Sequence, residues 1–471
     1  MHVLMLGWEF PPFITGGLGT ACYGLTRAMD QRGTRVTFVL PKTIAGETAA
    51  HVDLVSPAAS TGSPADVQAA FLPRSVGGTG PSAAAGDAPP PVGQEGFEHL
   101  RFLRVESELT HPYQTSAGEG PVGAWAGGGT LRRRGAGAEA LQGPGGVFPP
   151  PPVGPEYGGD LIDQVERYAY FCLHAAQNLQ FDVIHAHDWM TYPAGLWIAR
   201  VTGRPLVVHV HSTEFDRSGE HVNQRVYDIE RRGMHGAMRV VCVSQLTRNI
   251  VIHRYGVPAD HVEVVYNGVE IDQAKAGISA IRSKDKIVLY FGRITFQKGP
   301  EYFLRAAKCV LEQMEDVKFV VAGSGDMGRH MIEMAAHMGI GHKVLFTGFL
   351  RGDDISRVFG LADLYVMPSI SEPFGIAPLE AISHDVPVII SKSSGVSEVL
   401  SHALKVDFWD VEDMANKIIA VLKHPPLSQT LREHGRMEVR QLTWDGAAKR
   451  CDAIYHAVVE EMRHHAFAGQ A

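Results

Sequence analysis

The chain has 471 residues, 45% hydrophobic and 20% charged, with a formal net charge of −8; that length carries two or three domains of ordinary size. The acidic balance excludes a non-specific nucleic-acid binder and an anionic-membrane binder, since both need clustered positive charge. Cys22, Cys172, Cys242, Cys309 and Cys451 stand far apart with no paired spacing for zinc or redox chemistry. They predict reduced thiols in a cytoplasmic protein. Met1–Gly7 lacks the basic region of a signal peptide, and no apolar run reaches the roughly 20 residues of a membrane span.

Taken in chain order, short β-branched runs alternate with helical patterns, the signature of parallel α/β sheets. The first half predicts a strand at His2–Gly7, a helix near Gly17–Arg32 and a strand at Thr34–Leu40. Glycine (51) and proline (28) are in excess for a compact enzyme, and the excess falls between Pro57 and Gly159. Thr115–Asp160 alone holds 14 Gly and 7 Pro, with neither helical nor strand periodicity. Two low-complexity insertions, at about 57–97 and 114–159, therefore flank one core strand at Leu100–Val105. Arg132-Arg133-Arg134 in the second insertion reads as a solvated charge cluster. Further strands follow at Phe181–Ala186, Pro205–His211, Arg239–Val243 and Val262–Tyr266. After a polar stretch at Asp272–Ser283 the pattern restarts with Lys286–Phe291, Val317–Ala322, Val344–Phe346, Asp363–Met367 and Val386–Ile390. The expected fold class is α/β: two Rossmann-like doubly wound domains, residues 1–272 and 284–445, facing across a cleft that holds the ligand at the strand carboxyl ends. A C-terminal helix, 446–471, is expected to cross back to the first domain.

Several motifs sit at those strand ends. Trp8–Gly19 joins the first strand to its helix, and Gly16 and Gly17 there either approach an anion or only make a tight turn. It is not the dinucleotide G-x-G-x-x-G pattern. His185-Ala186-His187-Asp188-Trp189 closes a buried strand, and His209-Val210-His211 closes the next. Metal ligation by His185 and His187 lacks a third ligand at a fixed spacing, so no metal is expected. His209 and His211 share one side of the sheet. His211, nearer the strand end, should face the cleft, whereas His209 reads as a core histidine satisfied by backbone.

In the second half, Arg293 and Lys298 leave a strand end together and can point at one anion; a diphosphate suits them. Pro368–Glu380 sets Glu372 before a helix that starts near Ile376 and Glu380 two turns inside it. They cannot act as a matched acid/base pair. Glu372 suits a sugar, Glu380 a ribose, and the N–H groups of Phe374, Gly375 and Ile376 a phosphate.

The Arg293/Lys298 loop, the Glu372–Glu380 motif, Tyr266-Asn267-Gly268-Val269 and the closing Thr443-Trp444 helix resemble retaining glycosyltransferases of the GT-B fold. The group is the one that includes glycogen and starch synthases; Gly16-Gly17-Leu18 and His185–Trp189 are similar to first-domain motifs of the glycogen synthase branch. That resemblance implies a nucleotide-sugar donor whose diphosphate Arg293 and Lys298 hold. Glu372 then contacts the transferred sugar, Glu380 the ribose, His211 lies beside the reacting carbon, and Asp188 maps to the acceptor side. Bacterial glycogen synthases usually carry Lys two residues before the paired glycines, where this chain has Ile14.

The expected activity is hexosyl transfer, of glucose first, to a carbohydrate acceptor such as an α-glucan. No cofactor is expected, and no metal clamp, since no two aspartates are separated by one residue. Two alternatives stand: a family member passing mannose or another sugar to a small or lipid acceptor, and a nucleotide-sugar epimerase on the same scaffold. The base of the donor and the oligomeric state are left open.

Overall fold

The computed structural model describes residues 1–10, 16–42, 99–106, 142–143, 146–147, 161–270 and 284–468. Ile14, the Arg132–Arg134 cluster, the 272–283 stretch and nearly all of both insertions lie outside the described residues. The exception is a two-residue antiparallel ribbon inside the second insertion, where no strand is predicted. It joins β4 (Gln142–Gly143) to β5 (Gly146–Val147) and belongs to neither main sheet.

The first domain runs β1 (His2–Leu6), α1 (Gly17–Gln31), β2 (Arg35–Lys42), β3 (Leu100–Glu106), the β4–β5 ribbon, α2 (Leu161–Gln177), β6 (Val183–His187) and α3 (Tyr192–Thr202). It continues with β7 (Leu206–Val210), α4 (Glu214–Ser218), α5 (Gln224–Gly236), β8 (Arg239–Cys242), α6 (Gln245–Tyr255) and β9 (Val262–Val264). All seven main strands pair parallel in the order β3-β2-β1-β6-β7-β8-β9. β6 and β7 are buried at every residue, as expected of parallel strands covered by helices on both faces. Local chemistry sets the helix ends. Ser244 caps α6 by accepting from Thr247 N at 3.0 Å, and Gly256 ends it with φ 72°; Thr213 and Asp216 form a reciprocal capping box on α4.

The second domain runs β10 (Lys286–Phe291), α7 (Pro300–Leu311), β11 (Val317–Ala322), α8 (Gly328–His337), β12 (Val344–Gly348), α9 (Asp353–Leu361) and β13 (Leu364–Met367). α10 (Ala377–Ser383), β14 (Val388–Ser391), β15 (Leu404–Val406), α11 (Val411–Lys423) and α12 (Pro425–Val439) complete it. Its six parallel strands follow the order β12-β11-β10-β13-β14-β15. The three-residue β15 is not predicted by the sequence, being too short to show a period. In each sheet the winding reverses once, between β1 and β6 and between β10 and β13, which opens a crevice at the carboxyl ends of those strands.

The last helix, α13 (Trp444–Ala468), packs on the first domain. Ala447, Ala448, Cys451, Ile454, Tyr455 and Val458 share one apolar cluster with Val3 and Met5 of β1 and with Cys22, Leu25 and Met29 of α1. The Trp444 ring lies against Gly24, so closely that a Cβ there would stand 2.2 Å from Trp444 Cε2. Where the chain leaves the first domain and where it returns, the two segments touch: Val269 N donates to Leu442 O at 3.0 Å. Among the described residues no helix is long and apolar enough to cross a membrane, and all five cysteines are free thiols.

Candidate active site

The two crevices face each other, and the residues singled out from the sequence line them. One cavity is walled by Gly16, Gly17, Arg293, Lys298, Glu372, Gly375, Ile376 and Glu380. A second, continuous with it through shared residues, adds Glu9, Asp188, His211, Arg217, Asn267 and Phe374. Gly16 approaches Arg293 across the cleft, its Cβ position lying 3.9 Å from Arg293 Nε.

On the second domain, β10 ends at Phe291 and the next turn projects Arg293, whose carbonyl accepts from Tyr290 Oη at 2.8 Å. Lys298 follows at the end of a single 3-10 turn, Phe296–Lys298. Gly299 then adopts φ 62° to start α7, and a Cβ there would stand 2.1 Å from Pro368 O. Only glycine lets the Lys298 loop lie directly on the loop that follows β13. That contact delivers Lys298 Nζ to within 2.6 Å of Glu372 Oε2. Ser369 Oγ donates to the same oxygen at 3.2 Å. The Glu372 main chain is pinned as well, its N donating to Ser393 O at 3.0 Å and its O accepting from Gly395 N at 2.9 Å. Glu372 is therefore a buried carboxylate held rigidly beside a cation. The helix beyond it begins at Ala377 with Ile376 as its cap, which puts Glu380 in the first turn and not two turns inside. Being close to the helix start is what brings Glu380 into the cavity wall.

On the first domain, Asp188 stands just past β6 with φ 58°, a left-handed backbone that costs a non-glycine residue about 1 kcal/mol. Its carboxylate ties down the end of β7: Oδ1 accepts from His211 N at 2.7 Å and from Ser212 N at 3.3 Å. Burial pushes the Asp188 carboxyl up to about 7, opposed by the charge of Arg217 and by those two backbone donors. Arg217 also donates through Nε to Glu214 at 3.1 Å and pairs with Glu230, which accepts from the Tyr255 hydroxyl. This network and Glu9 are missed by the sequence reading. Glu9 stands inside the quoted Trp8–Gly19 loop, and Arg217 is only six residues after His211, so position was the available signal.

His185, His187, His209 and His211 stack on one face of β6 and β7, with ring centroids 4.2–5.3 Å apart. Burial drives His185 and His211 down to about 3, and pushes His187 and His209 down too. His209 is not satisfied by backbone: neither ring nitrogen has a hydrogen-bond partner. Nor do His185 and His187 lack a third neighbour, since His209 supplies it from the adjacent strand.

Residues 272–438 match the family model described as glycosyl transferases group 1, residues 130–273 that of glycosyltransferase family 4, and residues 2–71 that of the starch synthase catalytic domain. An uncharacterised glycosyltransferase of Methanocaldococcus jannaschii is 31% identical over 302 residues, covering 60% of this chain and 77% of its own length. The chain belongs to the group 1 glycosyltransferases. This glycosyltransferase is also 22% identical over 465 residues to a glycogen synthase of Mycobacterium tuberculosis, covering 97% of this chain and 95% of that protein. Its fold matches that of a sucrose-phosphate synthase from Thermosynechococcus elongatus with a TM-score of 0.68, at 17% identity and over 98% and 99% of the two chains. The architecture is GT-B: two Rossmann-like domains with the cleft between them.

Proposed function

We propose that this chain is a retaining hexosyltransferase, moving glucose in the first place from a nucleoside-diphosphate donor to a carbohydrate acceptor of the α-glucan type. The observation that carries the reading is the 2.6 Å Lys298–Glu372 pair, set with Arg293 and Glu380 around one cavity at the winding reversal of the second sheet. Arg293 and Lys298 are assigned to the donor diphosphate, with the N–H groups of Phe374, Gly375 and Ile376 beside it and Glu380 on the ribose. When Lys298 turns to the phosphate, Glu372 is released to accept hydrogen bonds from the sugar hydroxyls. It also faces the positive charge that builds on the sugar as the leaving group departs. His211 and Asp188 sit across the cleft, on the acceptor side.

In the proposed step the donor C1–O bond breaks, and its electron pair leaves with the diphosphate. The departing phosphate oxygen takes the proton of the acceptor hydroxyl, and the new C1–O bond forms on the same face. No pair of opposed carboxylates is needed for this. The two cations neutralise the leaving group, so no metal clamp and no cofactor is assigned to the transfer. The match of residues 2–71 to the starch synthase catalytic domain supports a glucan acceptor. A cytoplasmic setting belongs to the same proposal, supported by five cysteines left as thiols.

The test is thermal stabilisation by ADP-, UDP- and GDP-glucose. Release of the diphosphate by the best donor, with and without glycogen, follows, together with NMR of the new linkage. Glycogen-dependent release and an α-linkage are expected. A β-linkage overturns retention, and an epimerised sugar without diphosphate release overturns transfer.

A further inference from the structure

The histidines under the cleft carry an inference of their own. β6 and β7 pair in parallel register with His187 opposite His209, so period-2 alternation sends His185, His187 and His209 to one face. That face is the apolar one covered by α1 and α13. The three side chains are 0%, 0% and 2% exposed. An imidazole nitrogen left unpaired in such a core is destabilising, because it gives up its hydrogen bond to water and gains none. Yet Nε2 of His185, Nε2 of His187 and both ring nitrogens of His209 have no hydrogen-bond partner, and one nitrogen from each ring falls within 4.8 Å of the other two. Among the described residues this is the one such cluster of three.

The second nitrogens of His185 and His187 are used as metal-bound histidines use them. His185 Nδ1 lies 2.5 Å from the Tyr455 hydroxyl, and His187 Nδ1 lies 2.9 Å from His211 Nε2. These partners orient the His185 and His187 rings and leave the Nε2 atom of each unpaired. Three neutral imidazoles in a closed apolar chamber are the donor set of a borderline divalent ion.

We infer that His185, His187 and His209 form a buried site for one divalent transition ion of the zinc class, which fastens β6 to β7 beneath the cleft. The ion is separate from the donor diphosphate and takes no part in neutralising it. It fixes a tautomer instead. With Nε2 of His187 on the ion, Nδ1 must carry the proton and donate to His211 Nε2, so His211 presents Nδ1–H. The consequence for His211 in transfer rests on the function proposed above; the ion site does not.

Tag-free protein expressed in minimal medium supplemented with zinc or with cobalt provides the test, with metal content measured by mass spectrometry. About one ion per chain is expected. The cobalt form should show visible d–d absorption without the near-ultraviolet charge-transfer band of a thiolate. His209→Val, which matches the neighbouring Val207 and Val241, should lose the ion while keeping its circular dichroism. Less than a tenth of an equivalent in wild-type protein, with no visible cobalt band, overturns the proposal. So does a thiolate band, or a cobalt band that survives in His209→Val. If that variant fails to fold, the wild-type stoichiometry and spectrum still decide. None of these readouts depends on donor turnover.

Discussion

Ser371 reaches across the cleft to donate its hydroxyl to Asp216, Oγ to Oδ1 2.6 Å. Asp216 uses its other carboxylate oxygen to cap α4, accepting from Thr213 N at 2.8 Å and Thr213 Oγ1 at 2.7 Å. The bond therefore joins the residue before Glu372 to the residue before Arg217, and it sets how the two halves of the site meet.

Removing it should cost catalysis more than stability. A hydrogen bond to a charged group contributes about 1.5–3 kcal/mol. Ser371→Ala, with water replacing part of that, is expected to lower kcat/KM roughly tenfold by depopulating the closed arrangement. Steady-state kinetics and small-angle scattering with donor bound would check it. An unchanged kcat/KM would mean that closure is set elsewhere.

Glu372→Gln keeps the shape and the Ser369 contact but removes the charge beside Lys298. Losing a preorganised electrostatic contact of this kind costs on the order of 10²–10³ in kcat. The melting temperature should move little, because the amide still fills the site. Product release measured beside thermal melts separates the two effects; near-normal turnover would remove Glu372 from the chemistry.

Gly24→Ala sets two known quantities against each other. Alanine gains about 1 kcal/mol of helix propensity in α1, whereas forcing a methyl against the Trp444 ring costs about 1–3 kcal/mol. A net loss of stability is expected in urea unfolding. Gly360→Ala, where the added Cβ meets nothing within 4 Å, should be neutral or stabilising and serves as the control.

Glu438 supplies a pH test away from the cleft. Burial pushes its carboxyl up, but the donors of His402 and Ser401 outweigh this and hold it below the ordinary 4.5. Its carboxylate accepts from Ser401 N at 3.0 Å, His402 N at 3.0 Å and His402 Nδ1 at 2.8 Å. A depressed folded value stabilises the protein above the unfolded value, and the gain disappears as pH falls through the folded one. Glu438→Gln should therefore be less stable than wild type at pH 7, with the gap closing below about pH 4.5. Urea midpoints from pH 3 to 7 would show it, and a gap independent of pH would assign it to packing.

Strand identity was legible in the sequence because parallel strands buried on both faces read as unbroken apolar runs, as in Leu364–Met367. The site residues were legible because they stand directly after such runs, where a doubly wound sheet opens its crevice. Cross-strand register was not. Nothing in the spacing of His187 and His209 says that they sit opposite one another, so the third histidine of the cluster was invisible. Contacts between distant segments, such as Ser371 with Asp216 or Arg217 with Glu230, leave no periodic trace either. Glu380 was misplaced within its helix because the four residues from Ile376 to Glu380 span about one helical turn, not two.

The hydrogen bond from Val269 to Leu442 puts the outgoing and returning chain crossings side by side. Two domains joined by one strand of chain can swing and spin about it; joined by two strands in contact, they keep essentially one hinge axis and lose the spin. Any opening of the cleft is then confined to that axis, and closure about it returns Ser371 to Asp216 in the same alignment. The register of the active site is thus carried partly by the spine of the molecule, so a chain ending before Leu442 would lose that alignment even though every cleft residue named above remained.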